Sequence, residues 1–193
     1  MRSMSIRDAK LLIRHPNTRM KKSEGIYGIM CRETAESMMT IIISNYNQEK
    51  HIGETIDSVF AQRVSFPIKV IIADDCSCRE RSKEIIREYA LRYENIEPIF
   101  AKENKGYLAN ILRAKARTKT KYFCLLDADD YWTDRDFLQR AYDFLNTHED
   151  YSIYEANVEV ADGKSRHPYI SPRIKAGSYS KEMYLQIERV TGQ

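Results

Sequence analysis

Tyr122-Phe123-Cys124-Leu125-Leu126-Asp127-Ala128-Asp129-Asp130-Tyr131-Trp132 changes character once along its length: an apolar run gives way to an acidic one that closes on two aromatics. The apolar half is short and rich in aromatic and large aliphatic residues, so it reads as a buried strand, and the acidic half begins where that strand ends. Upstream, Thr40-Ile41-Ile42-Ile43, Val70-Ile71-Ile72-Ala73 and Ile99-Phe100-Ala101 are three more runs of the same kind. Helical-period segments separate them. Ile52, Ile56, Val59 and Phe60 fit one helix face, Ile85, Ile86, Tyr89 and Ala90 a second, and Leu108, Ile111, Leu112 and the apolar stem of Lys115 a third. Strand and helix in alternation predict an α/β fold, with a mostly parallel sheet covered by helices on both faces.

The chain has 193 residues, the size of one domain with a substantial core. Its 31 Lys and Arg against 28 Asp and Glu leave a net charge of +3, too balanced for a nucleic-acid binder. No apolar run approaches the ~20 residues of a membrane span. The charge is unevenly placed: residues 1–22 hold seven Lys or Arg and one Asp, and the remainder is slightly acidic. That basic start lacks the apolar core of a secretion signal, and the expected location is cytoplasmic. Within it, Ile6, Ala9, Leu12 and Ile13 are expected to form one apolar helical stripe. Four cysteines are too few for a disulfide scaffold, and Cys76-Ser77-Cys78 is too tightly spaced for a zinc pair. None of the seven glycines forms a dinucleotide or P-loop fingerprint. Past the acidic run, Phe137, Leu138, Ala141, Phe144 and Leu145 have helical spacing behind Asp134 as a candidate N-cap. Tyr151 to Val160 alternates like a strand, and Asp162-Gly163 carries a hairpin-turn signal.

Ligands of an open parallel sheet bind outside the carboxyl ends of its strands. Here those ends are Ser44-Asn45-Tyr46-Asn47, Asp74-Asp75-Cys76-Ser77 and Asp127-Ala128-Asp129-Asp130. Acidic groups gathered on one rim repel unless a cation or hydrogen-bond donors compensate them. Asp127 and Asp129, two positions apart, suit Mg²⁺ or Mn²⁺, which takes one or two carboxylates and completes its shell with phosphate oxygens and water. A diphosphate is the ligand this chemistry favours. The plainer reading of an isolated D-x-D-D is a solvated, helix-capping loop, and its position at a strand end is what separates the two.

From Met39 to Trp132 the chain resembles the nucleotide-sugar-binding half of the family 2 glycosyltransferases, which have the GT-A fold, a Rossmann-like arrangement. The resemblance rests on Ile41-Ile42-Ile43-Ser44-Asn45-Tyr46-Asn47 with the following Ile56, Ser58, Val59 and Gln62, on Ile71-Ile72-Ala73-Asp74-Asp75-Cys76-Ser77, on Asn104-Lys105-Gly106, and on Leu126 to Trp132. It implies that Tyr46 stacks on the nucleobase with Ser44 beside it, and that Asp75 accepts a hydrogen bond from the base's imide N–H, as in uridine recognition. It implies that Asp129 ligates the metal, and that Asp127 contacts ribose or sugar, or the metal through water. Asp74 is expected to cap its loop, Asn104-Lys105-Gly106 to form a turn with a helix cap, and Trp132 to anchor packing. His51 and His167 are expected at the surface. The family often places an arginine before the asparagine of the next helix, where this chain has Leu108-Ala109-Asn110. The implied organisation is a basic, partly helical N-terminal extension over residues 1–38 and a GT-A nucleotide-sugar-binding domain over 39–193, with the acceptor part incomplete.

The implied reaction is inverting, metal-dependent transfer of a sugar from a UDP-linked donor to a glycan or lipid-linked acceptor, in polysaccharide biosynthesis. The basic N-terminus is a candidate for peripheral contact with the inner face of a membrane. The family's general base lies many tens of residues after the D-x-D, whereas 63 residues follow Asp130 and none of their carboxylates can be named as base. A chain that binds donor without catalysing transfer, or that serves as an interaction module, is therefore the first alternative. A sugar nucleotidyltransferase is disfavoured, because its glycine-rich phosphate loop is replaced by Ser44-Asn45-Tyr46-Asn47.

Overall fold

The computed structural model describes residues 9–14, 29–31, 36–156, 159–161, 166–168 and 177–180, with side chains described from 39 to 156. In chain order the strands are β1 (Ala9–Arg14), β2 (Ile29–Cys31), β3 (Glu36–Asn45), β4 (Ile68–Asp74), β5 (Ile96–Phe100), β6 (Thr120–Asp127), β7 (Tyr151–Ala156), β8 (Glu159–Ala161), β9 (Arg166–Pro168) and β10 (Gly177–Ser180). The helices are α1 (Ile52–Phe60), α2 (Glu80–Arg92), α3 (Tyr107–Lys115) and α4 (Phe137–Thr147). The main sheet has the order β10-β1-β7-β2-β6-β3-β4-β5.

The half built from β6, β3, β4 and β5 is parallel throughout and contains all four strands expected from the sequence. Successive isoleucines of β3 point to opposite faces, as a strand requires. Ile41 and Ile43 join Val70, Ile72 and Leu126 in the larger core, which Ile52, Ile56 and Val59 of α1, Ile86 of α2 and Leu138 of α4 complete. Ile42 joins Ile71, Ala73, Ile99 and Phe123 on the other face, where Ala114 of α3 covers them. Helices thus lie on both faces, in the α/β arrangement expected from the sequence.

The other half is mixed. β2 runs antiparallel to β6 and to β7, and β1 runs antiparallel to β7 and parallel to β10. Strand β1 occupies Ala9, Leu12 and Ile13, where the apolar stripe predicts a helix. A run this short fits either period, and pairing with β7 and β10 decides it. Three further expectations are corrected. The Tyr151–Val160 run holds two strands, β7 and β8, rather than one, while the antiparallel pairing of β8 with β9 is the hairpin that the Asp-Gly signal predicts. Helix α4 begins behind Asp136 rather than Asp134, whose Oδ1 instead accepts the Asp136 N–H at 2.9 Å. Helix α3 buries Asn110, Ile111 and Ala114 and leaves Leu108 and Leu112 exposed, so its inward face is rotated from the one expected.

Candidate functional site

The strand ends line up by register. Ser44 lies abreast of Ala73 on one side and Asp127 on the other, and Asn45 is abreast of Asp74. Backbone bonds join the loops that leave them: Asp75 N–H donates to the Asn45 carbonyl at 3.0 Å, and Ala128 N–H to the Ser44 carbonyl at 3.0 Å.

Asp74 is fully buried and shapes its own loop. It accepts the Asn45 amide at 2.7 Å, the Ser77 N–H at 2.9 Å and the Ser77 hydroxyl. The Ser77 hydroxyl oxygen in turn accepts Asn47 N–H at 2.9 Å, tying the β3 loop to the β4 loop. Asn47 (φ 57°) and Cys76 (φ 59°) are both left-handed here. Asparagine tolerates that region, whereas for cysteine it costs about 1–2 kcal/mol. Glu49, farther along the first loop, is held below the usual carboxylate range by a backbone hydrogen bond and then by Arg79 across the gap.

Asp75 does different work. It is 4% exposed, and its two oxygens accept Lys105 N–H at 3.1 Å and Gly106 N–H at 2.7 Å. Gly106, at φ 84°, adopts a conformation that side chains rarely allow, and it heads α3, so Asn104-Lys105-Gly106 is the expected turn and cap. A carboxylate has about four lone-pair sites, so two backbone donors leave room for a ligand N–H. Asp75 lines a cavity of about 280 Å³ together with Lys102, Lys105, Asn110 and Arg113. Asn110 donates to Ser44 Oγ at 3.0 Å and to the Ala73 carbonyl at 2.7 Å. Arg113 donates through Nη2 to Asn110 Oδ1 at 2.6 Å and to the Asp74 carbonyl at 2.9 Å. Its Nε is buried and has no partner among the described residues.

Arg113 is the residue that the sequence reading missed. The signal was a cation one helical turn past the position where the family often has its arginine, and α3 brings it to the cavity. The lining does not include Tyr46, Asp127 or Asp129. Tyr46 is half exposed in the loop after β3. His51, expected at the surface, is half-buried with its Nδ1 enclosed, and the side chain of His167 lies outside the described ones.

The acidic turn after β6 is closed by Asp130 N–H donating to the Asp127 carbonyl at 3.1 Å. Helix α1 braces it from below. Thr55 donates to the Ala128 carbonyl at 2.9 Å, Trp132 N–H to Ser58 Oγ at 3.1 Å, and Gln62 bonds the Asp134 carbonyl at 2.6 Å and the Leu138 N–H at 3.1 Å. Trp132 packs on Phe137 at 5.6 Å and is almost fully buried, the expected anchor. Burial alone would raise the carboxyl of Asp134, but the Arg140 guanidinium and the Asp136 N–H outweigh it and hold the group below its ordinary value. Asp127 ends β6 and Asp129 follows in the turn. Among the described residues no three His, Cys, Asp or Glu side chains converge as a protein-only cage. Two carboxylates on a rim do suit Mg²⁺ or Mn²⁺, which retains water and takes phosphate oxygens.

Known proteins are similar to this chain in sequence and in fold. An uncharacterised protein of Mycobacterium tuberculosis is 39% identical over 116 residues, which are 60% of this chain and 33% of that protein. TuaG of Bacillus subtilis, described as a glycosyltransferase of teichuronic acid biosynthesis, is 31% identical over 56% of this chain and 42% of its own. The chain thus spans between a third and under half the length of these relatives. Among solved structures, TarS 1–349 of Staphylococcus aureus superposes with a TM-score of 0.52 at 26% identity, over 58% of this chain and 33% of TarS 1–349. That fragment has also been solved with UDP and with UDP-GlcNAc. The mannosyltransferase PcManGT of Pyrobaculum calidifontis, solved with GDP-Man and Mn²⁺, shares the fold at a TM-score of 0.51 and 23% identity, over 55% of this chain and 32% of that one. The model of the family described as "Glycosyl transferase family 2" matches residues 40–190, from the middle of β3 past the acidic turn and the last described strand, and on that match the chain belongs to this family.

Proposed function

We propose that this chain forms the donor-binding part of a glycosyltransferase that takes a UDP-linked sugar. The observation that carries this reading is the cavity that the buried Asp75 carboxylate and the Arg113 side chain line together. Uracil is an imide, with an N–H between two carbonyls. A carboxylate acceptor beside a guanidinium donor matches that edge. Binding of UDP and UDP-GlcNAc by TarS supports the same choice.

In this reading Asp75 and Arg113 hold the base, Tyr46 lies against its face, and Ser44, fixed by Asn110, stands beside it. Asp129 and Asp127 would hold a divalent cation, which when bound stabilises negative charge on the departing diphosphate. Transfer with inversion forms the bond from acceptor oxygen to anomeric carbon as the bond to phosphate oxygen breaks, and the hydroxyl proton goes to a base on the acceptor side. The acceptor is a glycan or lipid-linked glycan in polysaccharide biosynthesis. The setting is cytoplasmic, at the inner face of the membrane, where the basic residues 1–22 add contact with anionic lipid.

Calorimetric titration with UDP and with GDP, each with and without Mn²⁺, tests the reading. UDP is expected to bind in a metal-dependent manner and more tightly than GDP, with Asp129→Ala lowering affinity at least about tenfold. Equal affinity for the two nucleotides, or binding untouched by Asp129→Ala, would overturn it.

A further inference from the structure

The rotation of α3 leaves an apolar surface that the donor site does not use. Tyr107, Leu108 and Leu112 are 46%, 39% and 43% exposed on a helix of nine residues. Leu108, Leu112 and Lys115 fall at i, i+4 and i+7, one stripe of the helix, with Tyr107 at its head. Single exposed apolar residues are ordinary, but a stripe of them on one short helix is not.

The charge around this stripe is strongly one-sided. Residues 102–121 hold seven Lys or Arg against one Glu, in a chain whose whole net charge is +3. Some of these cations are compensated: Lys105 pairs with Glu103, and Arg117 with Glu97. Lys102, Lys115 and Lys119 are exposed and have no ion pair among the described residues. Lys115 ends the helix and Lys119 lies beyond it, so cations without an ion pair among the described residues sit at the C-terminal end of the apolar stripe, whereas Lys102, before the helix, lines the cavity.

We infer that the outer face of α3 docks on a membrane surface containing anionic lipid. Leucine and tyrosine side chains at the headgroup boundary, with lysines reaching the phosphates, are the chemistry of an interfacial helix. A soluble polyanion would satisfy the lysines and leave Leu108 and Leu112 without a role, so the lipid surface fits the whole face better. No described helix is long and apolar enough to cross a membrane, and the contact is therefore peripheral. The face is separate from the cavity, which α3 lines with Ala109, Asn110 and Arg113. The inference does not depend on which nucleotide that cavity holds.

Flotation of the full chain with phosphatidylcholine vesicles, with and without phosphatidylglycerol, tests it. The chain is expected to float with the anionic vesicles and much less with the neutral ones. Leu108→Ser/Leu112→Ser and Lys115→Glu/Lys119→Glu should each lower the partition coefficient about tenfold or more, while circular dichroism and thermal midpoint stay near those of the unaltered chain. Flotation unchanged in both double variants would assign any membrane contact to the basic residues 1–22 and overturn the inference. So would an absence of flotation, or capture by soluble polyphosphate alone.

Discussion

Asp74 and Asp75 are adjacent, both buried, and differ entirely in what remains open on them. Asp74 is occupied by Asn45 and by the backbone and hydroxyl of Ser77, whereas Asp75 meets only two backbone donors and faces a cavity. Their order along a strand decides this, since one closes β4 and the other begins the loop. Arg113 supplies the opposite charge, and Arg113→Ala is expected to weaken UDP binding about tenfold or more. Arg113→Lys should restore only part, because a lysine lacks the planar fork. Calorimetry with UDP reads the effect. A thermal midpoint near that of the unaltered protein is the control, since Arg113 also bonds Asn110 and the Asp74 carbonyl. Asp75 was legible because polar residues after an apolar strand face the ligand side of such a sheet. Arg113 was not, because its approach to the cavity depends on how α3 is turned about its axis. Local spacing does not fix that turn when both Leu108 with Leu112 and Ile111 with Ala114 offer apolar stripes.

Helix α1 contributes at the scale of the element. One side carries Ile52, Ile56 and Val59 into the core, Thr55 and Ser58 hold backbone groups of Ala128 and Trp132, and Gln62, two residues past the helix, holds those of Asp134 and Leu138. Gln62→Ala leaves the Asp134 carbonyl and the Leu138 N–H without their partner, which should cost about 1–3 kcal/mol. Chemical denaturation measures that cost directly. If the brace also sets the acidic turn, the same variant lowers affinity for Mn²⁺ with nucleotide more than for nucleotide alone. The helices and parallel strands were readable because each repeats its period over several residues. Strand β1 was not, since six residues fit both periods and its partners β7 and β10 lie far along the chain.

Across the molecule, charge and sheet order set how stability responds to conditions. Glu97, near the start of β5, is held below its ordinary value of 4.5 chiefly by Lys69 on β4, then by Arg117. A depressed folded value means that the pair stabilises the protein above the ordinary carboxylate range and that this contribution fades as pH falls through the folded value. Glu97→Gln should therefore lower stability near neutral pH and flatten its decline in acid, as thermal melts across that range would record. Strand β3, which carries Ser44 and leads to Tyr46, is paired from Met39 to Ser44 with β4 on one side and β6 on the other. Its amides are expected to exchange with deuterium only through global opening. The floor of the rim would then have no partly opened form of its own, so a destabilised variant would lose competent molecules in proportion to its unfolded fraction, while each folded molecule kept its full affinity.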